Sequence, residues 1–119
     1  MTVLAVNPGK KPTKQELEDT LEAMQKFVGG TIQAIYPFDD PVAIICNDEG
    51  KLGGLEYNRA LRDTKGAVYD IICGPFFICG LGGDDFASLP EDLMETYYKH
   101  FERPELFVRV GGNLVVMRV

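Results

Sequence analysis

The stretch Asn47-Asp48-Glu49-Gly50-Lys51-Leu52-Gly53-Gly54-Leu55-Glu56-Tyr57-Asn58-Arg59-Ala60-Leu61-Arg62 gathers amide, carboxylate, ammonium, guanidinium and phenol groups within one connection. It is long for a loop in a chain of 119 residues, and long ordered loops are often functional. The chemistry on offer is recognition of an anion. Asn47, Lys51, Asn58, Arg59 and Arg62 can hold a phosphate or a carboxylate, the arginines through a bidentate fork. The same side chains have a purely structural alternative, in which Asn47 caps its own loop and Arg59 pairs with Asp48 or Glu49 to fasten the loop to a sheet. On the ligand reading, residues 47–62 are ordered with little regular structure. At least two of Lys51, Asn58, Arg59 and Arg62 then converge on one accessible spot.

Elsewhere the reactive residue types stand apart. Cys46, Cys73 and Cys79 each lie in an apolar run, and no two have the spacing of a zinc knuckle or a redox pair. They read as buried, reduced, slowly reacting thiols. His100, the only histidine, falls in the last turn of an expected helix, where a partly protonated imidazole suits the dipole. One histidine without a second ligand at metal spacing makes a poor zinc site. Gly80-Leu81-Gly82-Gly83 invites comparison with a phosphate loop, but Asp84 and Asp85 follow at once and no Walker lysine is present. The pairs Asp39-Asp40, Asp48-Glu49 and Asp84-Asp85 lack the EF-hand pattern and read as solvated turn residues. We therefore assign no catalytic residue, no metal ligand and no cofactor.

Eighteen acids against twelve bases give a net charge of −6. Direct nucleic-acid binding needs clustered Lys and Arg and is not expected, and an anionic membrane surface offers no attraction either. Residues 27–50 and 66–98 contain acids and no base, while 51–65 carry Lys51, Arg59, Arg62 and Lys65. The first residues are too short an apolar run for a signal peptide, and no run approaches a membrane span, so a cytoplasmic setting is expected.

The elements that must position these groups follow from periodicity. Residues 2–6 read as a strand. Thr13 with Glu16 reads as a capping box opening a helix whose stripe is Leu17, Leu21, Met24 and Val28. Thr31–Tyr36 and Val42–Cys46 are strands joined across Pro37-Phe38-Asp39-Asp40-Pro41. Asn58–Arg62 suits a single helical turn, and Val68–Cys73 and Phe76–Cys79 are apolar strands. After a glycine-rich break at 80–83, Ser88 and Glu91 read as a second capping box, with Leu89, Leu93, Tyr97 and Phe101 as that helix's stripe. Leu106–Val110 and Leu114–Val119 form a hairpin around Gly111-Gly112-Asn113. The order β-α-β-β-loop-β-β-α-β-β implies one α+β domain over 1–119, a largely antiparallel sheet with two helices packed on it. Leu17, Leu21, Met24, Leu93, Tyr97 and Phe101 should be buried against one sheet face, with Ile32, Ile44, Ile72 and Phe77 among the strand residues.

Several segments carry a resemblance: Phe27-Val28-Gly29-Gly30-Thr31-Ile32-Gln33-Ala34-Ile35-Tyr36-Pro37, Asn47–Leu52, Asn58–Arg62, Tyr69–Ile78, and Gly80-Leu81 with Phe86 and Ser88-Leu89-Pro90. Together they resemble a bacterial and phage family known as domain of unknown function 3846, over about residues 3–102. The hairpin 104–119 lies outside the pattern. The resemblance implies a small intracellular protein of Firmicutes, their phages or mobile elements. It adds weight to Asn47, Lys51, Asn58 and Arg59 and supplies no mechanism.

The expected function is a non-enzymatic binding module that uses 47–62 to hold a small anionic ligand, a nucleotide signal being one candidate, or a host partner protein. The alternative is an acidic nucleic-acid mimic that blocks a host DNA-binding or defence protein, on the strength of the acids in 66–98.

Overall fold

The computed structural model describes residues 1–119, which form two helices and ten strands. The strands are β1 (Thr2–Val6), β2 (Thr13–Glu16), β3 (Ile32–Ile35), β4 (Val42–Asn47), β5 (Tyr57–Arg62), β6 (Val68–Cys73), β7 (Phe76–Gly82), β8 (Asp85–Ala87), β9 (Glu105–Val110) and β10 (Asn113–Arg118). The helices are α1 (Leu21–Val28) and α2 (Glu91–Phe101). Val42–Cys46 and Phe76–Gly80 are buried without interruption, as strands covered on both faces must be. Accordingly β7 and β4 lie at the centre of an antiparallel sheet ordered β2-β1-β7-β4-β3, with β8 folded back on β7.

Alternation along these strands feeds two cores, one on each face, so the two helices cover opposite faces of the sheet rather than sharing one as expected. One face presents Val3, Ala43, Ile45, Phe77 and Cys79 to Met24 of α1, and Phe27 meets Phe77 edge to face at 5.5 Å. The other face presents Leu4, Val6, Ile44, Cys46, Phe76 and Ile78 to Met94, Tyr97 and Phe101 of α2 and to Leu61 and Ile72 of the β5–β6 ribbon. Each fully covered Phe or Ile contributes about 1.5–3 kcal/mol by leaving water. The fold is α+β and sheet-dominated, with its strand pairs antiparallel throughout.

Several local expectations are corrected. Thr13–Glu16 is a strand, not a helix start: after the turn at Gly9 the chain pairs back on β1, with Val3 opposite Gln15. Thr20 is the true N-cap, its Oγ1 accepting from the Ala23 N–H at 3.1 Å. The helix therefore begins at Leu21, which is 52% exposed rather than buried, and α1 packs through Met24, Phe27 and Val28. Leu17 precedes the helix and is half-buried against the α1-side core.

The glycine-rich break expected at 80–83 is strand and turn instead. β7 continues through Gly82 and turns into β8 at Gly83, φ +64°. Gly80 is required by close approach, since a Cβ there would sit 2.5 Å from the Ser88 carbonyl oxygen. Ser88 does not cap α2; its Oγ accepts from the Thr2 N–H at 2.8 Å, and the N-cap position is Pro90 without a side-chain bond. Leu93 is half-buried, and Met94 shares the core face with Tyr97 and Phe101.

The terminal hairpin turns through Gly111 and Gly112, both at positive φ, as a two-residue turn demands. Its inner face packs on the ribbon, with the Phe107 and Tyr57 rings 5.2 Å apart. Its outer face carries Leu106, Val110, Val115 and Met117, all exposed.

Candidate functional site

Residues 47–62 separate into a turn-rich half and a strand. Asn58–Arg62 belongs to β5, not to a helical turn, and the β5–β6 register slips between Tyr57 and Arg59. A bulge of this kind lets consecutive residues escape strict alternation. Asn58 and Arg59 are accordingly both interior, 0% and 1% exposed. The Asn58 Nδ2 donates to the carbonyls of Val6 (3.0 Å) and Gly74 (2.9 Å), and its Oδ1 accepts from the Arg59 Nη1 at 2.9 Å. Arg59 donates from Nε and Nη2 to the Phe101 carbonyl at 3.2 and 3.0 Å, and from Nη2 to the Lys10 carbonyl at 2.6 Å. It thus satisfies the end of α2, where an unpaired carbonyl and a negative dipole both favour a cation. Burial pushes its pKa down and nearby Glu105 opposes this; the guanidinium stays charged.

The pairing of Arg59 with Asp48 or Glu49 does not occur. Arg59 and Asn58 instead clamp together the end of β1, the 7–12 loop, the β6–β7 turn and the end of α2. Arg62 is also committed: it forms a bidentate pair with Glu105, at 2.6 and 3.3 Å, whose Oε1 also accepts from the Ala60 N–H. Glu105 is nearly buried, so this pair fixes the hairpin to β5.

Asn47 and Lys51 occupy a different place. Asn47 caps its own loop, its Oδ1 accepting from the Glu49 N–H at 2.8 Å, and its Nδ2 donates to the Val28 carbonyl at the end of α1 (3.1 Å). Lys51 pairs with Asp70 of β6. Both line an open groove of about 340 Å³ between β3 and β6, bounded by Gln33, Ile35, Cys46, the 47–52 loop and residues 70–73. Lys51, Asn58, Arg59 and Arg62 therefore do not converge: one lies in the groove, two in the core, and one at the hairpin. Asp70 is the groove residue that sequence reasoning missed, and the signal was a lone carboxylate inside the apolar run 68–72.

The groove's charges are Asp48, Glu49 and Asp70 against Lys51 alone. Four consecutive β6 residues line it, so β6 presents an edge there rather than one face, and β6 pairs only with β5. On that strand the Ile71 N–H is held by the Asp70 carboxylate at 2.8 Å, a charged side chain covering an unpaired strand edge. Cys46 and Cys73 border the groove as thiols: burial pushes Cys46 up to about 11 and raises Cys73, and Cys79 rises to about 12 for the same reason.

His100 packs on the edges of Phe38 and Phe101, and burial, then Arg118 and Arg62, lower its pKa. This opposes the protonated imidazole expected at a helix end. The acid pairs do not assemble into a cluster of metal-binding groups. Within 66–98, Asp70, Glu91 and Glu95 pair with Lys51, Lys14 and Lys99, which breaks up any continuous row of acids.

Fold and site together define a small antiparallel α+β domain with an acidic groove beside an open strand edge. The chain belongs to the family described as domain of unknown function DUF3846, which matches residues 1–102. No curated protein and no solved structure matches it.

Proposed function

We propose that this chain is a non-enzymatic binding module that receives an extended segment of a partner protein in the groove between β3 and β6. The observation that carries the reading is the edge of β6, whose residues Asp70–Cys73 border an open groove instead of a neighbouring strand. Main-chain groups at such an edge can pair with an incoming strand, while side chains on either side set specificity. The acidic rim favours a segment bearing Lys, Arg or amide donors over a small anion, because Lys51 is already neutralised by Asp70. Displacing the Asp70 carboxylate from the Ile71 N–H frees the first main-chain donor. The same reading sets the protein in a reducing bacterial cytoplasm, as a phage or mobile-element product, with the three unpaired thiols in its support.

Selection from a random peptide display library tests this. Enriched peptides should be basic, should shift the amide resonances of residues 69–73 and Gln33, and should lose binding to Asp70→Lys. Failure to enrich any peptide, or equal binding to Asp70→Lys, overturns the proposal.

A further inference from the structure

A separate set of bases gathers at the end of α2. Lys99 and His100 in the last turn of α2, Arg103 just beyond it, and Arg118 at the end of β10 enclose a recess of about 240 Å³ with no apolar and no acidic lining residue. None of them lines the groove. We propose that this recess binds the dianionic phosphate of a small phosphomonoester.

The side chains there have donors to spare. Arg118 has no carboxylate within ion-pair distance and makes no side-chain hydrogen bond. Arg103 uses only Nε, donating to the Val119 main-chain oxygen at 3.1 Å, which leaves both terminal nitrogens free. Lys99 meets Glu95 one turn back at 3.2 Å, an exposed pair of the kind that contributes little. Complementing the helix dipole accounts for cations in the last turn of α2, but not for Arg118, which arrives from a strand. Nor is the carbonyl of Phe101 waiting for them, because Arg59 already fills it. Holding three cations together is unfavourable until an anion joins them, and two guanidinium forks with an ammonium match a phosphate's oxygens.

His100 makes the test clean, because it is the only histidine and its ring resonances report this recess alone. The charged groups facing it are Lys99 and Arg103 beside it, Arg62 of β5, Glu105 of β9 and Arg118 of β10. Inorganic phosphate, titrated at constant ionic strength in sodium chloride, should shift these resonances saturably and raise the imidazole pKa. Dimethyl phosphate, a monoanionic diester, should bind much more weakly, separating a terminal phosphate from the backbone of a nucleic acid or a lipid diester. Arg118→Gln should weaken phosphate at least about tenfold, the loss of one charge-assisted hydrogen bond or more. Lys14→Gln, a cation change elsewhere, should leave binding unaltered. Shifts that fail to saturate, equal binding of dimethyl phosphate, or an unchanged affinity in Arg118→Gln would overturn the proposal.

Discussion

Arg59→Met keeps most of the stem that fills the core and deletes all the donors. In the native protein the guanidinium serves the Phe101 and Lys10 carbonyls and the Asn58 Oδ1. After substitution the buried Phe101 carbonyl and the buried Asn58 Oδ1 lack their donor, at about 1–3 kcal/mol each, so the loss should be about 2–6 kcal/mol. An opposing effect exists: Arg59 has no carboxylate salt-bridge partner, and removing a desolvated charge returns part of its burial cost. The acceptors should win, because they remain buried whether or not the charge does. Urea unfolding followed by circular dichroism reads the result as a midpoint lowered by about 1–3 M, taking a slope of roughly 2 kcal/mol per M. Arg59→Lys should recover part of the loss, since one ammonium can reach one carbonyl. A double mutant with Asn58→Ala should be less damaging than the sum of its parts, as the two share a hydrogen bond. If Arg59→Met unfolds at the wild-type midpoint, these residues are not a clamp.

Two further outcomes are expected. Leu21→Ala should cost under about 1 kcal/mol, because the side chain is half in water, whereas Leu89→Ala should cost about 2–5 kcal/mol from a packed position; equal losses by thermal or urea denaturation would contradict the helix start at Leu21. For His100 the folded pKa lies below the ordinary 6.5, so between the two values the unfolded chain binds more protons and stability rises with pH, levelling off above 6.5. His100→Gln should flatten that part of the stability profile, and a variant that instead gains slope there would reverse the assignment.

The parts of the fold legible in the sequence were those where one physical signal acted alone. Unbroken apolar runs at 42–46 and 76–79 could only be covered strands, and Gly111-Gly112 between alternating residues could only be a hairpin turn. Thr13–Glu16 was ambiguous, since its residues satisfy a capping box and also suit an exposed edge strand. Tertiary pairing with β1 decided between them. Asn58 and Arg59 misled for a related reason: polar side chains next to Lys51 and Glu49 suggest a wet loop, and only a bulge can turn two neighbours inward together. Their partners lie as far as 52 residues away in Val6 and 42 in Phe101, beyond any local pattern. The acidic groove was half visible through Asn47 and Lys51, but its other wall is contributed by β3 and β6.

The terminal hairpin suggests how such a protein acquires new business. Family-matched sequence stops at residue 102, one position past the Phe101 carbonyl that closes the clamp. Beyond it, β9 and β10 are joined to the body chiefly by the Glu105–Arg62 pair and the Phe107–Tyr57 contact, and they pair with no strand but each other. An attachment with so few fixings can be exchanged, lengthened or rewritten without repacking either core. Selection can therefore act on the appendage at its own pace, and Arg118 belongs to it. A lineage could change what this end of the molecule recognises while the sheet beneath keeps its inherited sequence.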